Sequence, residues 1–326
     1  MASFTYKNVY INDYETIAGP KEKESQIFFE NTIDDYYYNE KTIEDAEIKM
    51  QNFCLTNILE RNKIFDKVDL IIGGDLLNQI VITSYNLSNR NIPFLGVYNG
   101  CSTFNESIII LANYINQKLI KNGIAITSSH NLNAERQYRF PVEYGCPKKC
   151  YTTFTTTGAI ATHLTNRKTN IRIESSTIGK VTDYGIKDVS HMGAVMAPSA
   201  CQTLHDHLTE LNRTPDYYDL IITGDLGKTG SKIFTNLIKE EYNYELKNYI
   251  DASSIIYEGV KGTFQGGSGP TVLPLVLFNK IIPEKKFKKI LLLATGSLHN
   301  PMMVNLKKNI PSITHAISIE VIEWII

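Results

Sequence analysis

The apolar positions of this chain follow two rhythms. Short unbroken apolar runs read as strands buried on both faces. Longer segments, with an apolar residue every third or fourth place, read as helices. Val68–Ile72, Phe94–Val97, Gly123–Thr127, Tyr218–Thr223 and Ile290–Ala294 are of the first kind. Thr42–Arg61, Leu76–Asn86, Phe104–Ile115, Met192–Leu211 and Phe234–Ile250 are of the second. Thr42 followed by Asp45 is a helix start, and Ala46, Met50, Phe53, Ile58 and Leu59 supply the apolar face behind it. Residues 1–40 read as an irregular or extended lead-in with a turn at Gly19-Pro20. Thr152–His163, Ile171–Val181 and Ile255–Glu258 read as strands, Glu135–Pro141 as a structured loop, and Leu273–Phe278 as the start of a helix. Strands alternating with helices predict an α/β layered sheet.

The pattern occurs twice. Asp69-Leu-Ile-Ile-Gly-Gly-Asp-Leu76 returns as Asp219-Leu-Ile-Ile-Thr-Gly-Asp-Leu226, and Ile124–Thr127 corresponds to Leu292–Thr295. The second match lays Asn99-Gly100-Cys101 over Gly267-Ser268-Gly269. Two duplicated halves follow, 1–185 and 186–326, with Cys101 in the first.

Composition narrows the picture by exclusion. The 326 residues are 43% hydrophobic and 21% charged, enough for one large core or two fused ones. A net charge of -1 gives no overall attraction to nucleic acid or to an anionic membrane. No apolar run approaches the roughly 20 residues of a membrane span. The polar start, Met1–Asn12, is unlike a signal peptide. Five scattered cysteines fit a reducing compartment better than a disulfide framework.

The candidate chemistry gathers at Cys101, where a strand turns into a helix. The helix dipole and free N–H groups there are expected to lower the thiol pKa and to suit a bound carboxylate. The plainer reading is a small buried apolar residue. Acyl condensation needs a histidine or asparagine beside such a thiol. His299-Asn300-Pro301 is weighed for that role and reads better as a surface loop. Cys146 and Cys150 lack a second ligand pair for zinc. His205 and His207 do not share a helix face and read as solvated. Gly262–Gly269 has no Lys-Ser/Thr ending, so it is not a P-loop but a close backbone approach beside the Cys101 turn.

Longer blocks carry a resemblance. Gly73–Gln79, Gly100-Cys-Ser-Thr103 with Glu106-Ser107, Thr127–Asn131 with Ala134–Gln137, Arg139–Gly145 and Ile178–Val181 resemble the stage V sporulation protein AD family of the thiolase superfamily. So do Met192–Pro198, Asp219–Gly227, Gly266–Gly269 and His315–Glu320, in the same order along the chain. The chain departs from the family at Gly100, at Pro270, and in Cys146–Cys150 with Tyr151–Phe154, which bears on the pocket edge.

The resemblance implies a thiolase-like fold of two α/β halves in an α-β-α-β-α arrangement, without thiolase chemistry. It implies binding of dipicolinic acid, or its calcium chelate, during uptake into the developing bacterial spore, and a link to germination. It also implies a location in the forespore or spore, peripheral on the inner membrane with membrane partners of the same sporulation group, and a homodimer. No cofactor is expected, beyond Ca²⁺ brought in with the ligand, and no nucleic acid.

Dipicolinate is a flat dianion and needs in-plane donors between apolar faces. On the implied fold, Cys101 and Ser102 offer N–H groups to one carboxylate. His130 and Asn131 end a neighbouring strand, and Arg136 can fork onto the second carboxylate. Asp75 and Asn78 end the adjoining strand, with Asp75 either a helix cap or an oxygen ligand to Ca²⁺. The rival readings are an acyltransferase using Cys101 with His130 or His299, and a scaffold with a vestigial pocket.

Overall fold

The computed structural model describes residues 2–139 and 149–323. Phe140–Gly145 and Cys146, singled out above, lie outside the described residues. In chain order the strands are β1 (Ser3–Thr5), β2 (Tyr10–Ala18), β3 (Leu70–Gly74), β4 (Phe94–Gly96), β5 (Asn122–Ser129), β6 (Phe154–Thr155) and β7 (Gly158–Thr165). They continue as β8 (Ile171–Thr177), β9 (Leu220–Thr223), β10 (Tyr249–Asp251), β11 (Gly267–Ser268), β12 (Lys289–Ser297) and β13 (Ser312–Val321). The helices are α1 (Ile43–Asn62), α2 (Val81–Leu87), α3 (Thr103–Asn116), α4 (Asn131–Tyr138) and α5 (Met192–Glu210). They end with α6 (Gly227–Tyr242), α7 (Ala252–Ile256), α8 (Val272–Val276), continued by a wider π turn over Leu277–Ile281, and α9 (Pro301–Asn305).

Hydrogen bonding runs through one 11-stranded sheet in the order β10-β9-β12-β13-β8-β2-β7-β5-β3-β4, with β1 on β8. The order contains one pattern twice. In the first five strands, β2 and β7 are antiparallel, β7 and β5 antiparallel, and β5, β3 and β4 parallel. In the second five, β8, β13, β12, β9 and β10 repeat those senses one for one. The two sets join where Tyr10 pairs with Arg172 and Ile11 with Ile171, extended by Ile173 N donating to Val9 O (2.9 Å). The duplication read from the two Asp-Leu-Ile-Ile copies is therefore a duplication of topology. On topology the second set opens at β8, upstream of residue 186.

Three packed clusters give the layers. Alternate residues of each strand face opposite ways. Ile71, Ile124 and Ile126 meet α1 through Met50, Leu55, Ile58 and Leu59 on one outer face. Ile221, Leu291 and Leu293 meet α5 and α6 through Leu204, Leu208, Phe234 and Ile238 on the other. Between the two five-strand sets, Phe104, Ile108, Leu111 and Ile115 of α3 pack with Leu273, Val276 and Ile281, against Ile72 and Ala125 of one set and Ile222, Leu292 and Ile317 of the other. At roughly 1.5–3 kcal/mol per fully buried large side chain, this middle layer is a main source of cohesion. Asn105 of α3 pins the layers in register, donating to Leu292 O (3.0 Å) and His315 O (2.8 Å).

Several elements differ from the sequence reading. The lead-in holds β2, a nine-residue interior strand. Its acids disguised it, yet Glu15 is buried against Arg61 of α1 (2.7 Å) and Asn31 (2.9 Å). The expected helix from Leu76 begins only at Val81, because Gln79 and Ile80 take left-handed φ values of 64° and 48°. Thr152–His163 divides between β6, paired with β11, and β7 in the main sheet. Ile255–Glu258 is no strand: Asp251 accepts from Ser254 N (3.0 Å) and starts α7 there. The helix expected to reach Ile250 ends at Tyr242, and Ile250 lies in β10. Glu135–Tyr138 is helical, within α4.

Candidate functional site

The two middle-layer helices begin nose to nose. α3 follows the Gly100–Ser102 turn, and α8 follows Gly267–Gly269, so the turns laid over each other by the repeat meet in space around one cavity. Gly100 has φ +56°, and a Cβ there would lie 3.1 Å from Ser297 O. Gly269 has φ +121°, and a Cβ would meet Ser129 Oγ at 2.9 Å. Glycine is needed at both for the turns to close this tightly.

The cavity holds about 230 Å³. Cys101, Ser268 and Gly269 line it on the side of the two turns; Leu76, Tyr98, Ala134, Tyr138, Met192 and Leu298 give it apolar and aromatic walls. Gly100, Arg139, Thr155, Ser297, His299 and Asn300 complete the lining. The Tyr98 and Tyr138 hydroxyls meet each other and converge on the Leu76 carbonyl with Gln137 Nε2. Arg139 is held by Glu135 and by Met192 Sδ (3.7 Å). The His299 ring lies 5.3 Å from that of Tyr138. Burial first, then the Arg139 charge, pull His299 down to about 4, so the imidazole is neutral. Its Nε2 and the Ser297 Oγ are buried with no hydrogen-bond partner among the described residues.

Cys101 is 7% exposed and faces Asp225 rather than an imidazole. Burial pushes the thiol well above its ordinary value, and the Asp225 carboxyl pushes the same way. The lowered pKa expected from the helix dipole is thus overturned: desolvation and a neighbouring carboxylate outweigh one helix end. Asp225 is itself fully buried, and burial, then Asp251, raises it well above the carboxylate range. Its Oδ1 accepts from Gly269 N (2.7 Å), while Oδ2 has no hydrogen-bond partner among the described residues. The start of α6 is capped by Asp251, which accepts from Leu226 N (3.2 Å) and Gly227 N (2.9 Å).

Of the seven residues expected around the ligand, only Cys101 lines this cavity. Ser102 is buried, its hydroxyl donating to Asn99 O (2.8 Å). His130 turns away, its Nε2 on Tyr36 O (2.8 Å), and Asn131 ties to Thr155 O (3.1 Å) and the Thr157 hydroxyl (2.9 Å). Arg136 is on the outer surface, paired with Glu44. Asn78 is exposed, its N–H on Gln137 Oε1 (2.9 Å). Asp75 is a cap, accepting from Leu77 N, Thr83 N and the Thr83 hydroxyl at 2.8–3.0 Å, so the reading as a Ca²⁺ ligand fails because both oxygens are taken by donors.

Periodicity held the missing signal. With α4 running from Asn131, Ala134 and Tyr138 share the cavity face, and Arg136 is about 200° from each. Arg139, just past the helix end, is the arginine at the cavity. Likewise β12 runs on to Ser297, carrying His299 to the carboxyl end of the sheet instead of onto a surface loop.

A family model, stage V sporulation protein AD (SpoVAD), matches residues 2–320. The chain belongs to the stage V sporulation protein AD family. It is 38% identical over 318 residues to stage V sporulation protein AD of Bacillus subtilis (strain 168), covering 96% of this chain and 94% of that protein. Its fold is thiolase-like. OleA E117Q of Xanthomonas campestris superposes with TM-score 0.62 at 12% identity, over 97% of this chain and 99% of that one. 3-Oxoacyl-[acyl-carrier-protein] synthase III of Aquifex aeolicus VF5 gives 0.53 at 15%, over 98% and 97%. The family places the chain in sporulation, and no helix among the described residues is long and apolar enough to cross a membrane.

The Cys101–Asp225 pair makes one prediction. In Asp225→Asn the thiol loses the carboxylate, and Cys101 is expected to be alkylated several-fold faster by iodoacetamide at pH 9, read peptide by peptide by mass spectrometry. An unchanged rate assigns the suppressed reactivity to burial alone.

Proposed function

We propose that this chain is a non-catalytic binding protein for dipicolinic acid, or its calcium chelate, acting in its uptake into the developing spore. The observation that carries the reading is the small cavity with Arg139 and two buried polar atoms, His299 Nε2 and Ser297 Oγ, that lack partners among the described residues. Buried polar atoms are rarely left unpaired, so these point to a ligand with hydrogen-bonding groups. The volume is below the roughly 300 Å³ at which sites for drug-sized molecules begin, which suits a single ring better than a long acyl chain. Tyr98, Tyr138 and His299 offer flat faces to a pyridine ring, and Arg139 a fork to a carboxylate. Burial raises Asp225 well above the carboxylate range, which lessens its repulsion of a dianion. Any Ca²⁺ enters as the ligand's own ion, held by its pyridine nitrogen and carboxylates.

Titration calorimetry with dipicolinate, with and without Ca²⁺, is expected to show saturable one-to-one binding. No heat and no competition under either condition would sink the assignment.

The alternative is acyl transfer through Cys101, favoured by His299 sharing its cavity. Against it stands a thiol held in its neutral form and facing a carboxyl group. Mass labelling of Cys101 by acyl-CoA would decide for the enzyme. The wider reading is a peripheral protein of the spore inner membrane, working with membrane partners of the same sporulation group and linked to germination. It includes a homodimer through the edge strand β4, whose Leu95 is 44% exposed.

A further inference from the structure

Beside the cavity lies a face that ligand binding leaves unused. α9 and the segment after it stand against the loop 178–187. Ile310 N donates to Ile186 O (2.8 Å), Asn309 Nδ2 donates to Asp183 Oδ2 (3.3 Å), and Thr182 bridges to Ser312. Val181, Tyr184, Met302 and Leu306 project from this surface at 59%, 58%, 65% and 62% exposure. They join none of the three core clusters. Large apolar side chains gathered in water mark an interaction surface rather than a packing accident. Lys187, Lys307 and Lys308 are exposed among them. Three acids lie nearby: Asp183 is engaged by Gly185 N (2.8 Å) and Asn309, Asp188, next to Lys187, accepts from Ser190 N (2.9 Å), and Glu241 lies near Tyr184. A groove of about 290 Å³, with Met303 and Lys308 in its lining, shares Leu298 and Asn300 with the ligand cavity.

We propose that this face docks on an anionic lipid surface, with Met302, Leu306, Val181 and Tyr184 entering the interface and Lys187, Lys307 and Lys308 meeting the headgroups. Two features favour lipid over a protein partner. The apolar residues are separate tips on a short helix and a loop, which a fluid interface covers without a matching shape. Lysines flanking apolar and tyrosine tips are the chemistry of interfacial anchoring. With a net charge of -1 the whole chain gains nothing from an anionic membrane, so the attraction is local to this face. Docked in this way, the septum formed by Leu298 and Asn300 lies between the lipid surface and the ligand cavity. The inference does not depend on which ligand the cavity holds.

The test is co-sedimentation of the full chain with phosphatidylcholine vesicles, with and without phosphatidylglycerol. Binding is expected only with phosphatidylglycerol. It should weaken about twentyfold in Lys307→Ala/Lys308→Ala and about tenfold in Met302→Ser/Leu306→Ser. Calorimetry with dipicolinate on the same proteins, and their melting temperatures, should stay at wild-type values, which separates failure of this inference from failure of the ligand assignment. Three results overturn it: background sedimentation by the wild type (as for a face built for a protein partner), equal binding to neutral vesicles, or both double variants binding like wild type.

Discussion

Replacing Arg139 by alanine is expected to weaken dipicolinate binding about thirtyfold, the equivalent of about 2 kcal/mol for one charge-assisted hydrogen-bonding group at a buried carboxylate. Arg136→Ala should leave the affinity within about twofold, because that side chain pairs with Glu44 on the outer surface. Arg139→Lys is the informative intermediate. It keeps the charge but loses the planar fork, so it should recover only part of the loss. Calorimetry on the three variants reads all of this. An Arg136 effect equal to that of Arg139, or none at either, would mean that the ligand lies outside this cavity. The Glu135 contact makes a folding check necessary, and an unchanged melting profile for Arg139→Lys supplies it.

The architecture was legible where a local pattern and its copy agreed. The Asp-Leu-Ile-Ile runs are β3 and β9, in equivalent places of the two five-strand sets, and Ile124–Thr127 and Leu292–Thr295 lie in β5 and β12. The turn at Cys101 was legible because the apolar run Phe94–Val97 breaks at Asn99-Gly100 and a segment of helical apolar spacing follows. What failed was direction. His130, Asn131 and Arg136 adjoin the right strand end, yet two are consumed by backbone carbonyls and one by a surface ion pair. Sequence proximity gives an address, whereas ligand contact depends on which way a side chain leaves the backbone. β2 was hidden because its stabilising partner, Arg61, is distant in sequence. Duplicated positions need not keep duplicated roles: Asp75 meets only N–H and hydroxyl donors, while Asp225, its counterpart in the second copy, faces the thiol.

Thermal stability is expected to be highest slightly below neutral pH, and Glu47→Gln should flatten only its alkaline limb. Glu47 of α1 is fully buried, with Oε1 on the Ser128 hydroxyl (2.7 Å) and Oε2 on Asn133 Nδ2 (2.7 Å). Burial, then the nearby Asp75, pushes it up to about 8. Burial likewise raises Glu22 to about 7 and Asp251 to about 6. For a carboxyl raised on folding, the stabilising proton is fully in place below the unfolded value of about 4.5 and is lost as pH rises through the folded one. The alkaline loss therefore falls between about pH 6 and 8. The acid limb has the opposite origin. Burial lowers His130, His163, His299 and His315 to about 4 and His207 to about 3, so each costs stability as pH falls below about 6.5, where the unfolded chain takes up protons. Gln at 47 keeps an oxygen to accept from Asn133 and has no proton to lose; its amide N–H faces Ser128, whose hydroxyl, which donates to Glu47 Oε1, turns to accept. Between pH 6.5 and 8.5 the variant should lose about 2 kcal/mol less than wild type, several degrees in melting temperature by calorimetry. An identical alkaline slope in the two proteins would show that Glu47 is already ionised in the fold. The network from α1 through Ser128 to α4 would then hold a charge directly behind the helix that carries Ala134 and Tyr138 to the cavity.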